Sequence, residues 1–491
     1  MENKEFDINS IPASEFEFIQ HEEKIFDQKF ETKRIGYLRD AFLRFSQNKG
    51  SIVAGFILLF LALFSIITPI FSGYDANTTE NFYTYCLPKN PLFEGTGFWD
   101  GTKTEEVNGK FYALYSSYGA VKSSEEYINE AGDKYYHIVR DTYIVGNVYK
   151  SFNENEFQTI VKYDESLPLE QKVLQPLIDL SWIDQSTNNG RVLANLYKQN
   201  ANYSYKMTNK MLPIYTTSGE LDFCYEKDTD GNYVYYEKNG DTYKTRLNYD
   251  NYYIYLHGHK PIYVLGSDNV GRDIMTRLAI GGRLSLMLGF GVSILNIIIG
   301  VFYGAIEGYY GGAIDIVMER IVEILNEIPF MIVVTLFSLY LADITGPIVS
   351  LLVAFVLTGW IGTAATVRMQ FYRYKGQEYV LASRTLGASD GRIIFKHILP
   401  NAIGPIITSS VLMIPSVIFS ESSLSYLNII NFSSANLTSI GTMLSEGQSS
   451  FTTYPNLIIW PALFISLLMI SFNIFGNGLR DAFNPQLRGA E

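Results

Sequence analysis

Two cysteines and five histidines are all that 491 residues contain of either type. They form neither a Cys-His nucleophile signature nor a metal-ligand template. His21, His137, His257, His259 and His397 lie far apart except for His257-x-His259, whose strand spacing would be the one zinc-compatible pair. Solvated histidines are the preferred reading of that pair. A phosphate-cradling G-x-x-x-x-G-K-[ST] segment is absent, so the chain itself is not expected to hold ATP. Lys49-Gly50-Ser51 has the wrong order and abuts an apolar run. No nucleophile elbow occurs. Basic residues are outnumbered, 38 against 50 acidic, and the net charge of −12 argues against nucleic acid as a partner. A cleavable leader is not expected either, because the first apolar run starts near Ser51 behind a long charged segment.

Long apolar runs are plentiful. Ser51 to Ser72, Ile344 to Val367 and Ile398 to Ser420 carry no charge at all. Each is long enough to cross a bilayer, which takes about 20 residues. Leu284 to Ala305, a third span that begins at Asp315 and continues through Ile328 to Ala342, and about Leu457 to Ile474 complete a set of six spans. Lys33, Arg34, Arg39, Arg44 and Lys49 precede the first span, and Arg368, Arg373, Lys375 and Arg480 follow later ones. By the positive-inside rule this puts both chain ends on the cytoplasmic side. The reading divides the chain into an N-terminal tail (1–50), a first transmembrane helix (51–73), an extracytoplasmic insertion (74–265), a membrane core (266–485) and a C-terminal tail (486–491). Residues 1–31 are acidic with interspersed Phe, and their role is not legible.

The insertion holds 26 of the 36 tyrosines. YIVGNVY and NYVYYEKNGDTYKTRLNYDNYYIYL alternate like strands, with Asn239-Gly240 as a hairpin turn. A mainly β, α+β domain is predicted, with helix near Ser166 to Tyr197. Cys86 and Cys224 both lie in it, and an oxidising outer face makes their pairing the expectation. Glu226, Asp228, Asp230, Gly231 and Glu237 stand at positions 1, 3, 5, 6 and 12 of a calcium-loop template. Position 1 should be Asp and the flanks look like strands, so an Asp-Gly hairpin turn is preferred. In the third span Glu319, Glu323 and Glu327 share one helical face, Arg320 is at pairing distance from Glu323, and Pro329 should kink the helix. Carboxylates on that face belong against protein, a cavity or cytoplasm, since lipid would be expensive for them. Gly289, Gly291, Gly300 and Gly304 should let the second span approach its neighbours closely.

The most organised polar stretch is 378–401, EYVLASRTLGASDGRIIFKHILPN, between the fourth and fifth spans. A short helix over Tyr379 to Leu386 should end at Gly387. Ser389 or Asp390 should cap a second helix through Ile393, Ile394 and Phe395, stopped by Pro400, which suits the first turn of the following span. Ala382, Gly387, Leu399 and Pro400 stand at the spacing of the coupling loop of ABC-importer permeases, which the stretch resembles. Leu381, Ser383 and His397 depart from the pattern. The Gly387-Ala388-Ser389-Asp390 run, the His397-Ile398-Leu399-Pro400-Asn401 ending and the segment Gly266-Ser267-Asp268-Asn269-Val270-Gly271-Arg272-Asp273 are similar to the dipeptide/oligopeptide branch, C-type subunit. So are Glu421 to Leu427 and Gly441 to Gly447, although Asn428 and Ile430 replace glycines common there.

The resemblance implies the type I ABC-importer permease fold: an all-α membrane protein of six transmembrane helices, here with the insertion between helices 1 and 2. It implies a homologous second permease subunit, two cytoplasmic ABC ATPase subunits that bind ATP and Mg, and an extracytoplasmic peptide-binding protein, all in a bacterial plasma membrane. The Tyr-rich insertion is expected to meet that binding protein. Glu378, Ala382, Gly387, Ala388, Ser389, Asp390, Ile393, Phe395, His397, Leu399 and Pro400 would couple to the ATPases, with Ile393 and Phe395 packing into their groove. Asp268, Arg272 and Asp273 would form ion pairs at the outer membrane edge. Arg320, Glu323 and Glu421 would serve helix interfaces or a polar network, with lining of the pathway or contact with substrate as the alternative. A nickel or metal-chelate permease of the same family is the near alternative. A ligand-sensing membrane receptor is the distant one, and six spans without an output domain disfavour it.

Overall fold

The computed structural model describes residues 37–117, 119–129, 132–177, 214–215, 221–222, 226–430, 432 and 437–483. The acidic segment 1–31, Cys224 and the tail 486–491 lie outside the described residues. Within them, five helices are long and apolar enough to cross a membrane: Lys49–Phe71, Ile274–Tyr310, Pro347–Tyr374, Asp390–Tyr426 and Asn456–Phe483. Gly312–Asn326 and Phe330–Tyr340 meet at 70° and make a sixth if taken as one broken span. In chain order these are spans 1 to 6, the broken pair being span 3.

Several spans outrun their apolar runs. Span 2 has 37 residues and reaches from Ile274 to Tyr310, about 55 Å at helical rise. Asp273 starts it by accepting from the Thr276 N–H at 2.8 Å and the Thr276 hydroxyl at 2.6 Å. The kink expected at Pro329 is a full break. Pro329 is extended, with ψ 118, and the residue before a proline is pushed out of the helical region. Pro400 is a correction in the other direction. It does not stop the helix, because Ile393–Ile398 form a wide π turn that runs directly into Leu399–Val411. Pro400 stands in the first turn of Leu399–Val411, as expected, where its missing N–H is not needed.

Glycines set the contact between spans 2 and 4. A Cβ on Gly304 would stand 2.2 Å from the Ala364 carbonyl oxygen, and one on Gly300 would stand 2.6 Å from Thr363. Gly289 is likewise pressed against Ile418, but Gly291 has nothing within 4 Å, so its expected packing role is withdrawn. Leu61, Leu278, Ile418, Phe464 and Phe472 form one buried cluster between spans 1, 2, 5 and 6. Ala305, Phe371, Val380, Ile393 and Ile398 form another, which fastens the 378–401 stretch to spans 2, 4 and 5.

The insertion is α+β. Strands β1 (Thr102–Asn108), β2 (Val121–Ile128) and β3 (Lys134–Asp141) form an antiparallel sheet in the order β1-β3-β2. Strands β4 (Asn147–Asn153) and β5 (Leu174–Gln175) flank β9 (Thr242–Asn248), with β8 (Tyr236–Asn239) also paired to β9, while β6 (Ile214–Tyr215) and β7 (Leu221–Asp222) pair separately. The Asn239-Gly240 turn joins β8 to β9 with Asn239 opposite Thr242 and Gly240 at φ 60. The domain core is built from Tyr83, Val148, Phe157, Ile160, Leu247 and Tyr253, among others.

The helix expected near Ser166 to Tyr197 falls mostly on residues 178–197, which lie outside the described residues. A helix that was not anticipated covers Glu154–Glu165, where Asn153 and Glu156 make a reciprocal capping box. One assignment changes. Tyr249–His257, read as strand, is a helix. Asn248 caps it from the Asp250 and Asn251 N–H groups, and Gly258 closes it at φ 76. Tyr249, Tyr252 and Tyr253 are its buried face, an i, i+3, i+4 set hidden inside an aromatic run. His257 and His259 therefore flank a helix end, with ring centroids 6.4 Å apart.

Candidate functional site

The 378–401 stretch is two helical pieces joined by a sharp turn. Glu378–Thr385 is the first helix. Its end has both bonds of a Schellman motif: Gly387 N–H to the Arg384 carbonyl at 3.0 Å and Ala388 N–H to the Ser383 carbonyl at 3.1 Å. Gly387 makes this possible at φ 81. Ser389 occupies the next cap position with extended backbone but makes no side-chain cap bond. Asp390 is drawn elsewhere. Its carboxylate accepts from the Tyr309 hydroxyl at 2.6 Å, and Arg384 donates to the same hydroxyl at 3.2 Å. The turn is thereby tied to the end of span 2.

Exposure redistributes the expected coupling residues. Ile393 is fully buried inside the protein's own core and cannot enter a partner's groove, because the π turn rotates it against Val380 and Phe371. Phe395 is exposed but packs beside Phe302 of span 2, ring centroids 5.7 Å apart. The apolar side chain that stands free is Leu386, 87% exposed at the C-cap of the helix, while Leu381 within the helix is 47% exposed. Glu378, Ala382, Gly387, Ser389, Asp390 and Pro400 are exposed, whereas Ala388, His397 and Leu399 are half-buried. Leu386 escaped sequence reading because an isolated leucine before a glycine looks like helix core.

A second cluster lies next to this stretch. Arg368 in span 4 grips Asp315 at 2.7 and 3.1 Å, reaches Glu319 at 3.0 Å and lies 3.4 Å from Glu307. Tyr372 also donates to Asp315 at 2.7 Å, and Lys375 donates to the Gly308 carbonyl at 2.9 Å. The end of span 2, the start of span 3 and the end of span 4 are so joined a few residues before Glu378. The acidic face expected of span 3 thus meets protein at Glu319. Arg320 and Glu323 pair with each other on the exposed side.

At the opposite end of the spans, Asp268 accepts from Arg272 Nε at 2.7 Å and from Arg277 Nη1 at 2.6 Å. Glu446 closes a ring with Arg272 at 3.0 Å and Arg277 at 2.8 Å. Asp273 is separate: it caps span 2, and burial pushes its carboxyl up to about 6 against the lowering effect of the Thr276 bonds. Arg277 and Glu446 were not singled out from sequence, although Glu446 lies within Gly441–Gly447. Glu421 is wholly buried and accepts from Ser285 at 2.7 Å, Ser425 at 3.0 Å and Ser422 at 3.3 Å, joining spans 2 and 5.

Two insertion sites need comment. Cys86 is buried, with its sulfur 3.3 Å from the Tyr83 and Thr142 carbonyls; its expected partner Cys224 lies outside the described residues. The calcium-template segment forms the preferred Asp-Gly hairpin turn. Asp228 accepts from the Asp230 and Asn232 N–H groups at 2.9 and 2.8 Å around Gly231 at φ 83. Glu226 precedes this hairpin turn, and Glu237 sits on β8 facing Lys244 at 3.8 Å. The strand geometry spreads the acids apart, and among the described residues no group of three or more His, Cys, Asp or Glu is placed to hold a metal.

Comparison with known proteins agrees with this arrangement. Residues 285–489 match the family described as binding-protein-dependent transport system inner membrane component. Residues 36–88 match the N-terminal TM domain of oligopeptide transport permease C. The chain is 44% identical over 223 residues to the oligopeptide transport system permease protein OppC of Bacillus subtilis, covering 45% of this chain and 72% of that one. It is 42% identical over 224 residues to the dipeptide transport system permease protein DppC of the same organism, covering 45% and 68%. It is 38% identical over 223 residues to the OppC permease of Escherichia coli, covering 45% and 72%. Neither family match includes the stretch from residue 89 to residue 284, where most of the insertion lies. The chain belongs to the family of binding-protein-dependent transport system inner membrane components, among the ABC permeases of the dipeptide/oligopeptide branch, C-type subunit.

Proposed function

We propose that this chain is one of two permease subunits in an ATP-driven importer of oligopeptides or dipeptides, and that ATPase motion enters it through Leu386 and the surrounding turn. The carrying observation is the exposed leucine on a Schellman-closed helix whose root is locked to spans 2, 4 and 5. A tip that is apolar, rigid and unsupported by its own protein suits a groove on a partner. The basic flanks of spans 1 and 4 favour a cytoplasmic tip, cytoplasmic chain ends and an insertion on the outer face. Two ATPase subunits, which would hold the ATP and Mg, dock below; a homologous permease subunit lies alongside, and a peptide-binding protein docks above. The chain performs no bond chemistry of its own.

In this reading the tip moves with the ATPases. Tyr309–Asp390 carries the displacement to span 2, and the Arg368 cluster carries it to spans 3 and 4. The 70° break in span 3 lets its two halves follow different neighbours. The result is rocking between inward and outward openings as rigid bodies. The relatives' printed roles in oligopeptide and dipeptide transport favour peptide over a nickel chelate. The test is ATP hydrolysis by the reconstituted complex. Peptides delivered by the binding protein should stimulate it. Stimulation by chelated nickel alone would overturn the substrate, and assembly without any ATPase would overturn the permease role.

A further inference from the structure

We propose that the loop between Asn90 and Trp99, at the base of the insertion, is an interfacial anchor that seats in the lipid bilayer beside span 6. The loop is closed at its neck by the Asn90 N–H to Trp99 carbonyl bond at 2.8 Å, within an antiparallel backbone β-bridge between Lys89 and Asp100. Asp100 stiffens it from within, accepting from the Gly97 N–H at 3.1 Å and the Thr102 N–H at 3.0 Å. Trp99 stacks on Phe93 at 5.9 Å and donates its indole N–H to the Val264 carbonyl. This frame holds two large apolar side chains outward: Leu92 is 87% exposed and Phe98 67% exposed. Holding such groups rigidly in water is unfavourable, and a contiguous apolar patch marks a surface that something covers.

The position of the loop identifies the cover. Trp99 also stacks on Trp460 at 5.8 Å, and Trp460 lies in the second turn of span 6. Span 6 has 28 residues, about 42 Å at helical rise, against a hydrocarbon core of about 30 Å. Its first charged residue is Arg480, near the far end. Trp460 therefore lies at the membrane boundary on the insertion side, the depth at which tryptophans collect. The loop continues the lipid-facing surface of the spans, since Ile459 is half exposed directly beside Trp460 and Ile70 and Phe71 are 70% and 81% exposed at the same end of span 1. Lys103 packs over the Tyr454 ring at 4.6 Å and pairs with Glu105 at 3.2 Å, which fixes the base of the insertion to the start of span 6. The single exposed carboxylate of the loop is Glu94. Lipid is the occupant that fits, and the insertion is thereby held against the membrane instead of swinging on its two connections.

The inference rests on the membrane-spanning reading of spans 1 and 6, and the test separates the two. Nitroxide labels are placed at Leu92→Cys, Phe98→Cys, Ile70→Cys and Ser123→Cys in the full importer in lipid nanodiscs, with the labelled parent as background for Cys86 and Cys224. Collision with oxygen is compared with collision with a water-soluble nickel reagent. Labels at 92 and 98 should favour oxygen, as the label at 70 should, while the one at 123 on β2 favours nickel. Nickel-dominated collision at 92 and 98 overturns the anchor. Weak collision with both reagents overturns it too, because a protein partner then covers the loop. If the label at 70 also favours nickel, the span assignment has failed and takes the anchor with it.

Discussion

Replacing Arg368 with Met should destabilise the protein through one identifiable contact. The guanidinium gives Asp315 two hydrogen bonds and also contacts Glu319 and Glu307. Without it, a carboxylate that is almost wholly buried, Glu307, is left beside Asp315 and Glu319 without the one guanidinium that contacts all three. Removing one partner of a buried pair costs about 3–5 kcal/mol. Side-chain exposures of 28% for Arg368 and 13% for Asp315 put the Asp315 contact at the lower end, about 3 kcal/mol. The more exposed Glu319 contact adds less than about 1 kcal/mol. Arg368→Lys keeps the charge but loses the two-pronged geometry, so about half of the loss should remain. Asp315→Asn combined with Arg368→Met should destabilise by at least about 1 kcal/mol less than the sum of the single variants, because both remove the same contact. Unfolding in mixed detergent micelles measures all four. Additive losses, or an Arg368→Met variant within about 0.5 kcal/mol of the parent, would refute the cluster as the tie between spans 2, 3 and 4.

Gly304→Ala places a methyl 2.2 Å from the Ala364 carbonyl oxygen, so spans 2 and 4 must separate at an expected cost of about 1–3 kcal/mol. Gly291→Ala, with open space at its Cβ, should be neutral or stabilising by up to about 1 kcal/mol in the same assay; equal effects would show that the two spans do not pack as described. Asp273→Asn should flatten the dependence of thermal stability on pH. The folded carboxyl titrates near 6 and is raised by burial, so its contribution is fully present below the unfolded value of about 3.9 and is lost as pH rises through 6. Parent stability should therefore fall relative to the variant between about pH 4 and pH 6, and parallel profiles would remove Asp273 as the cause.

The membrane core was readable because uncharged runs and punctuating glycines and prolines act locally. Gly387 has nothing within 4 Å of its Cβ position, and its conformation follows from the chain alone. Where tertiary geometry decides, the reading slipped. Ile393 and Phe395 look equally available on a regular helix, and the π turn buries one and leaves the other exposed. Arg368 meets Asp315 across 53 residues, a pairing that no local spacing announces. The aromatic run of the insertion hid the period of Tyr249–His257, because nearly every position there is apolar enough for either periodicity. Asn248 and Gly258 were the available signals for that helix.

The measurement closest to the centre of the account is the affinity of the ATPase subunits for the assembled permease pair with Leu386→Asp in this chain. Leu386 is 87% exposed, so the substitution should leave the permease's own unfolding unchanged. Burying a leucine in a partner's groove is worth about 1.5–3 kcal/mol, so docking should weaken by at least about tenfold, with transport-coupled ATP hydrolysis falling alongside. Unchanged docking and unchanged stimulation by peptide in the Leu386→Asp variant would contradict the claim that this turn is where the ATPases take hold.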